Sequence, residues 1–192
     1  MVKNIMIVGV GGQGSLLASR IVGNAAMAQG YDVKVSEVHG MSQRGGSVVT
    51  YVRYGEKVHS PVIGQGEADI ILSFEQLESA RWLSYLKKDG ILITSTQKIM
   101  PMPVITGACE YPVEIIEQIK EKNVKVVAID ALKKAEKAGS IKAVNVVLIG
   151  LMTHYSDFSK EQLIAALEKS VPSKLLEINL KAFELGYNYE RD

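Results

Sequence analysis

Cysteine is almost missing from this 192-residue chain: Cys109 stands alone. No disulfide can close within the chain, and its own thiols cannot ligate a four-cysteine zinc site or an iron–sulfur cluster. A single thiol with no histidine near it in sequence is expected to be buried and inert. Net charge is almost missing too. Twenty-two Lys and Arg oppose 21 Asp and Glu, a formal charge of +1. That gives no global pull toward nucleic acid or an anionic membrane. No apolar run approaches the roughly 18 residues of a membrane span. The opening MVKNIMIVGVGGQG runs from a short apolar stretch into glycines, not into a small-residue cleavage site. These absences predict a cytoplasmic protein with no nucleic-acid and no membrane partner. Catalytic signatures are also lacking: there is no Ser–His–Asp order, no HExxH helix and no lysine of a Walker A loop. His59 and His154 have no spacing that suggests a metal.

What is present is an ordinary globular balance, 47% hydrophobic and 22% charged. The length suits one domain spanning residues 1–192. Residues 5–8 form a short β-branched run that stops at Gly9, the mark of a strand buried on both faces. Residues 15–29 then change to helical spacing, with Gly30 as a stop. Further strands are expected at 33–38, 48–54, 68–73, 91–94 and 124–129, with a short partner strand around Val58. Asp89-Gly90 reads as a turn, and Pro101 and Pro103 mark an irregular stretch. Helices are expected at 75–86, 113–120 and 131–138. After Gly139 the strands stop. Residues 144–152 are apolar nearly all round and read as a buried helix. Another helix starts after Ser159, and Pro172 opens a last one that runs to about Leu185 with Gly186 as its stop. The sum is an α/β fold: a Rossmann-like, doubly wound, mostly parallel sheet with a helical C-terminal tail.

Gly9, Gly11 and Gly14 form a G-x-G-x-x-G loop between the first strand and the first helix, the context in which that motif binds a phosphate. Backbone N–H groups from Gly12 to Ser15 would face an anion at the helix start. Glu37 lies 23 residues after Gly14, where a dinucleotide fold places its ribose-binding acid. The alternative for these glycines is close helix–strand packing, with Glu37 an ordinary surface acid. A second polar glycine loop, His39 to Gly46, leaves the same edge of the sheet. Arg44 in it suits a forked contact to a phosphate or carboxylate. Ser42 and Gln43 can add neutral hydrogen bonds. His39 is a titratable candidate without a visible partner. Glu75, at a helix start on the same edge, either binds a ligand or simply caps its helix.

GVGGQG at 9–14 together with HGMSQRGGSV at 39–48 resembles the gamma subunit or domain of the 2-oxoacid:ferredoxin oxidoreductases. The HGMSQRGG wording resembles the small subunit of the indolepyruvate branch. The likeness continues through ADIILSFEQLESAR, KKDGILI and AVNVVLIG, and so covers most of the chain. Such enzymes decarboxylate a 2-oxoacid on thiamine diphosphate, pass electrons through [4Fe–4S] clusters to ferredoxin, and deliver the acyl group to coenzyme A. This chain lacks both a cluster cysteine set and the GDG…N pattern that holds magnesium diphosphate. The resemblance therefore implies a subunit inactive alone, with no cofactor of its own. Thiamine diphosphate, Mg and [4Fe–4S] would reside in a larger alpha subunit. Coenzyme A would be the co-substrate and ferredoxin the acceptor. The isolated chain could also self-dimerise. The residues implied in ligand or partner contact are Gly11, Gly12, Gln13 and Gly14, and Ser42, Gln43, Arg44, Gly45 and Gly46. Glu37, His39 and Glu75 are secondary candidates. No residue is implied as catalytic, and none as a metal ligand. No ferredoxin-like segment follows the C-terminal helices, so a fused multidomain form is not expected. The glycine loop and Glu37 alone leave two other readings: an NAD(P)-binding Rossmann dehydrogenase, or a nucleotide-binding scaffold without chemistry.

Overall fold

The computed structural model describes residues 2–39 and 46–189. Six strands form one sheet: β1 (Lys3–Val10), β2 (Asp32–His39), β3 (Ser47–Gly55), β4 (Ala68–Ser73), β5 (Leu86–Ser95) and β6 (Lys125–Ile129). Their order is β2-β3-β1-β4-β5-β6. The β1–β4, β4–β5 and β5–β6 pairs are parallel, and β3 runs antiparallel between β2 and β1. The sheet is thus mostly parallel, with one reversed strand.

The apolar runs explain the layering. Ile5 and Ile7 point to one face of β1, and Met6 and Val8 to the other; all four are buried. A strand with both faces covered must read as a continuous apolar run, because neither set of alternate side chains can be polar. The first face is covered by α1 (Ser15–Ala28), α5 (Ala131–Ala138), α6 (Val144–Met152), α7 (Lys160–Ser170) and α8 (Ser173–Tyr187). The second face carries α2 (Gln76–Arg81) and α4 (Ile115–Lys120), both six residues long. A third short helix, α3 (Met102–Ile105), lies in the proline stretch after β5.

The structure corrects several expectations. The helices expected after Gly139 are present, and they do more than trail the sheet: α6 is buried along its whole length and α8 packs across it, so they form the main layer over one face. Gly186 is not a helix stop. It lies within α8, where a Cβ would overlap the Val147 carbonyl oxygen, and so sets the close crossing of α6 and α8. Asp89-Gly90 is no turn; it lies within β5, whose ladder with β4 slips between Ala68 and Ile70. No strand forms at Val58, whose N–H instead donates to Asp32 Oδ2 at 2.9 Å. The expected 75–86 helix ends at Arg81, and a 3-10 turn at Leu83–Tyr85 leads into β5.

Candidate functional site

In a parallel sheet the strand ends and the helix starts converge on the carboxyl edge. Here that edge carries the first glycine loop and the residues that flank the second, His39 at the end of β2 and Gly46 before β3. Gly11 N–H donates to the Gly46 carbonyl at 2.9 Å, which joins the first loop to the end of the second. Beside this contact lies a cavity of about 400 Å³ lined by Gly11, Gly12, Gly14, Ser15, Leu16, Glu37 and Val48. Gly12 and Gly14 have φ of +99° and +85°, a left-handed backbone that favours glycine. Gly14 is the N-cap of α1 and brings no side chain to its first turn. The positive end of the helix dipole therefore meets the cavity without a side-chain cap, the usual arrangement for an anion.

A larger groove of about 900 Å³ lies at the opposite, amino edge. Volume does not make it the better candidate. Two ion pairs, Lys3–Asp157 and Lys87–Asp69, each at 3.1 Å, occupy its rim. No glycine loop or helix start opens into it among its described residues.

Gln13 faces inward. Its Oε1 accepts from Val10 N–H at 2.7 Å, and its Nε2 donates to the Phe74 carbonyl at 3.1 Å and to Gln97 Oε1 at 3.3 Å. This side chain braces the loop against the end of β4 and the segment after β5. Glu37 lines the cavity and accepts from Thr50 Oγ1 at 3.3 Å. Because β3 lies between β2 and β1, Glu37 stands one strand farther out than a dinucleotide fold places its acid. Glu75 is 1% exposed. Its carboxylate accepts from Glu78 N–H at 2.9 Å, Ile99 N–H at 3.2 Å and the Tyr111 hydroxyl. It caps α2 and ties the 96–111 segment to the sheet edge. His39 pairs with Val48 in the β2–β3 ladder. Ser42, Gln43, Arg44 and Gly45 lie outside the described residues.

Three positions escaped the sequence reading. Asn145 is buried within α6, and its Nδ2 donates to the Gly14 carbonyl at 3.0 Å. An amide inside the apolar run VNVVLIGLM was the available signal, since a buried amide needs a partner. Gln97 receives the Gln13 bond; nothing in its local sequence marks it. Glu78 is 4% exposed and reaches Ser47, Trp82 and Arg81. Cys109, expected to be buried, is exposed, because it follows α3 in a segment outside the sheet. Among the described residues, no three His, Cys, Asp or Glu side chains form a metal-binding group. No helix there is long and apolar enough to cross a membrane.

The family model for pyruvate ferredoxin/flavodoxin oxidoreductase matches residues 4–189. The chain is similar to indolepyruvate oxidoreductase subunit IorB of Thermococcus kodakarensis, at 47% identity over 95% of this chain and 93% of that protein. Among solved structures it is similar to the gamma subunit of a keto/oxoacid ferredoxin oxidoreductase from Geobacter sulfurreducens. That match has 25% identity and a TM-score of 0.72, and covers 96% of each chain. A 2-oxoglutarate:ferredoxin oxidoreductase from Magnetococcus marinus, with 2-oxoglutarate, coenzyme A and succinyl-CoA bound, shares the fold. It matches at 20% identity and a TM-score of 0.72, over 96% of this chain and 30% of that one.

Proposed function

Since the chain belongs to the pyruvate ferredoxin/flavodoxin oxidoreductase family, we propose that it is the small, non-catalytic subunit of a 2-oxoacid:ferredoxin oxidoreductase acting on indolepyruvate or a related aryl pyruvate. The substrate follows the IorB relative, which it matches along nearly its whole length. The larger partner would carry thiamine diphosphate, Mg and [4Fe–4S], and would hand electrons to ferredoxin. A single cysteine leaves this chain unable to ligate a four-cysteine cluster by itself.

The observation that carries the site is the Gly11–Gly46 hydrogen bond beside the uncapped start of α1. It ties the first loop to Gly46, far away in sequence, beside a cavity that suits an anionic group. The backbone at Gly12 and Gly14 would approach a phosphate of coenzyme A, and the nearby Glu37 carboxylate can accept from a hydroxyl. At about 400 Å³ the cavity suits a portion of that cofactor, with the remainder held by the partner. Ser42, Gln43 and Arg44 would complete the contact from the second loop.

Anaerobic affinity purification of the chain from its own cells tests this reading. A co-purifying larger chain containing thiamine diphosphate and iron, active on indolepyruvate with coenzyme A and ferredoxin, is the expected result. Recovery of the chain alone under gentle, low-salt conditions would overturn it.

A further inference from the structure

Glu78 is a buried acid that the proposed site leaves unused. Burying a carboxylate without donors is costly, so what surrounds it matters. Its Oε2 accepts from the Ser47 hydroxyl and, at 3.2 Å, from Trp82 Nε1; its Oε1 accepts from Arg81 Nε at 3.1 Å. The Trp82 and Arg81 contacts are local, within α2 and just past its end. The Ser47 contact is not. It joins residues 31 apart in sequence and links the second-face helix to the first residue of β3.

Ser47 directly follows Gly46, whose carbonyl receives the Gly11 N–H. Val48, the next residue, lines the cavity. A continuous run of contacts therefore leads from the Glu78 carboxylate through Ser47 and Gly46 to the backbone of the first glycine loop. The β1–β3 ladder aligns Ser47 with Val10 through the backbone. The Glu78 carboxylate adds a second, charge-assisted hold on the Ser47 side chain at this end of the strand.

We infer that Glu78 is a positioning residue for the cavity beside the first glycine loop. Through Ser47 it sets where Gly46 meets Gly11, and so the shape offered to the phosphate-bearing portion of coenzyme A. Glu78 itself touches no ligand. The inference rests on the coenzyme A reading above, and two readouts keep the two apart.

The first readout is hydrogen exchange of the Gly11 amide in the full chain, measured by NMR against the Phe74 amide, which donates to the Val8 carbonyl. Ser47→Ala and Glu78→Gln should each speed Gly11 exchange about fivefold relative to Phe74, the ratio expected for one lost hydrogen bond. The second is steady-state kinetics of the assembled enzyme. The KM for coenzyme A should rise about fivefold while kcat stays within about twofold and the KM for the 2-oxoacid is unmoved. Ser47→Ala is the milder change and guards against an unfolded Glu78 variant. Unchanged Gly11 exchange in folded Ser47→Ala protein overturns the inference. Quickened exchange with an unchanged KM for coenzyme A leaves the positioning standing and removes coenzyme A from the cavity. If Gly11 exchange quickens but the wild-type complex shows no dependence on coenzyme A, the positioning by Glu78 stands and the reading of the cavity falls.

Discussion

The two faces of the sheet are built on different terms. One is covered by five helices packed through a large apolar cluster that includes α6 and the fully buried Phe183. The other is covered by two six-residue helices, and the first of them buries Gln76, Glu78 and Ser79, with Glu75 at its cap. A helix this short contributes little apolar burial, and an isolated helix of that length is unstable. It is held by polar side chains that also reach the loops: Gln76 to the Thr96 carbonyl at 3.0 Å, Glu75 to Ile99 and Tyr111, Glu78 to Ser47. The difference separates two tasks. The thick face supplies stability; the thin face spends buried polar groups on placing the segments around the carboxyl edge.

The strongest way to break this comparison is to damage the thick face. Phe183→Ala should cost about 3–5 kcal/mol, because a large side chain leaves a cavity that the surrounding helices cannot close. Chemical denaturation would measure it, and a loss near that of an ordinary surface change would refute the division. Gly186→Ala should cost about 1–3 kcal/mol, since α8 must retreat from the Val147 carbonyl. Its thermal unfolding temperature should fall accordingly.

Changes at the thin face and the edge should behave in the opposite way. Arg44→Ala should lower the activity of a verified complex about tenfold, the scale of one charged contact, with an unchanged unfolding temperature. Full activity would remove Arg44 from the site. Tyr111→Phe removes the hydroxyl that donates to Glu75 and should cost about 1 kcal/mol. It should also loosen the 96–111 segment, seen as faster amide exchange at Ile99.

The tyrosines sharpen the comparison through pH. Burial raises the Tyr54 phenol above its ordinary value of 10.0, with Asp157 and Asp69 adding to it. Burial also raises the Tyr111 phenol, helped by its hydrogen bond to the Glu75 carboxylate. A raised phenol in the folded state means that the unfolded chain ionises first. Stability from both groups is present in full below about pH 10 and is lost as pH rises beyond it. Tyr54→Phe and Tyr111→Phe should each flatten the alkaline limb of the stability profile. Equal alkaline limbs in wild type and both variants would contradict this.

Much of the fold was legible in the chain because local rules agree with it. Ile5 to Val8, Ile70 to Leu72 and the nearly all-apolar run through α6 can only be buried, and their periods separate strand from helix. The errors fall where a long-range contact overrides a local signal. Asp89-Gly90 has turn chemistry, yet pairing with β4 draws it into β5. Gly186 has stop chemistry, yet α6 needs its missing side chain within α8. At the candidate site the glycines were legible, since a strand–loop–helix context is local. The inward bracing of Gln13 against Phe74 and Gln97 was not, because its partners lie 61 and 84 residues away.

The sequence by itself determined the class of fold, the two glycine loops and the family, because these depend on residue types at short spacing and on their order. Only the tertiary structure decided that β3 would lie between β2 and β1, that Gly11 would meet Gly46, and that Glu78 would reach Ser47. Those are choices between partners distant along the chain. They are settled by which arrangement satisfies buried polar groups while packing both faces of the sheet, and no local pattern carries that information.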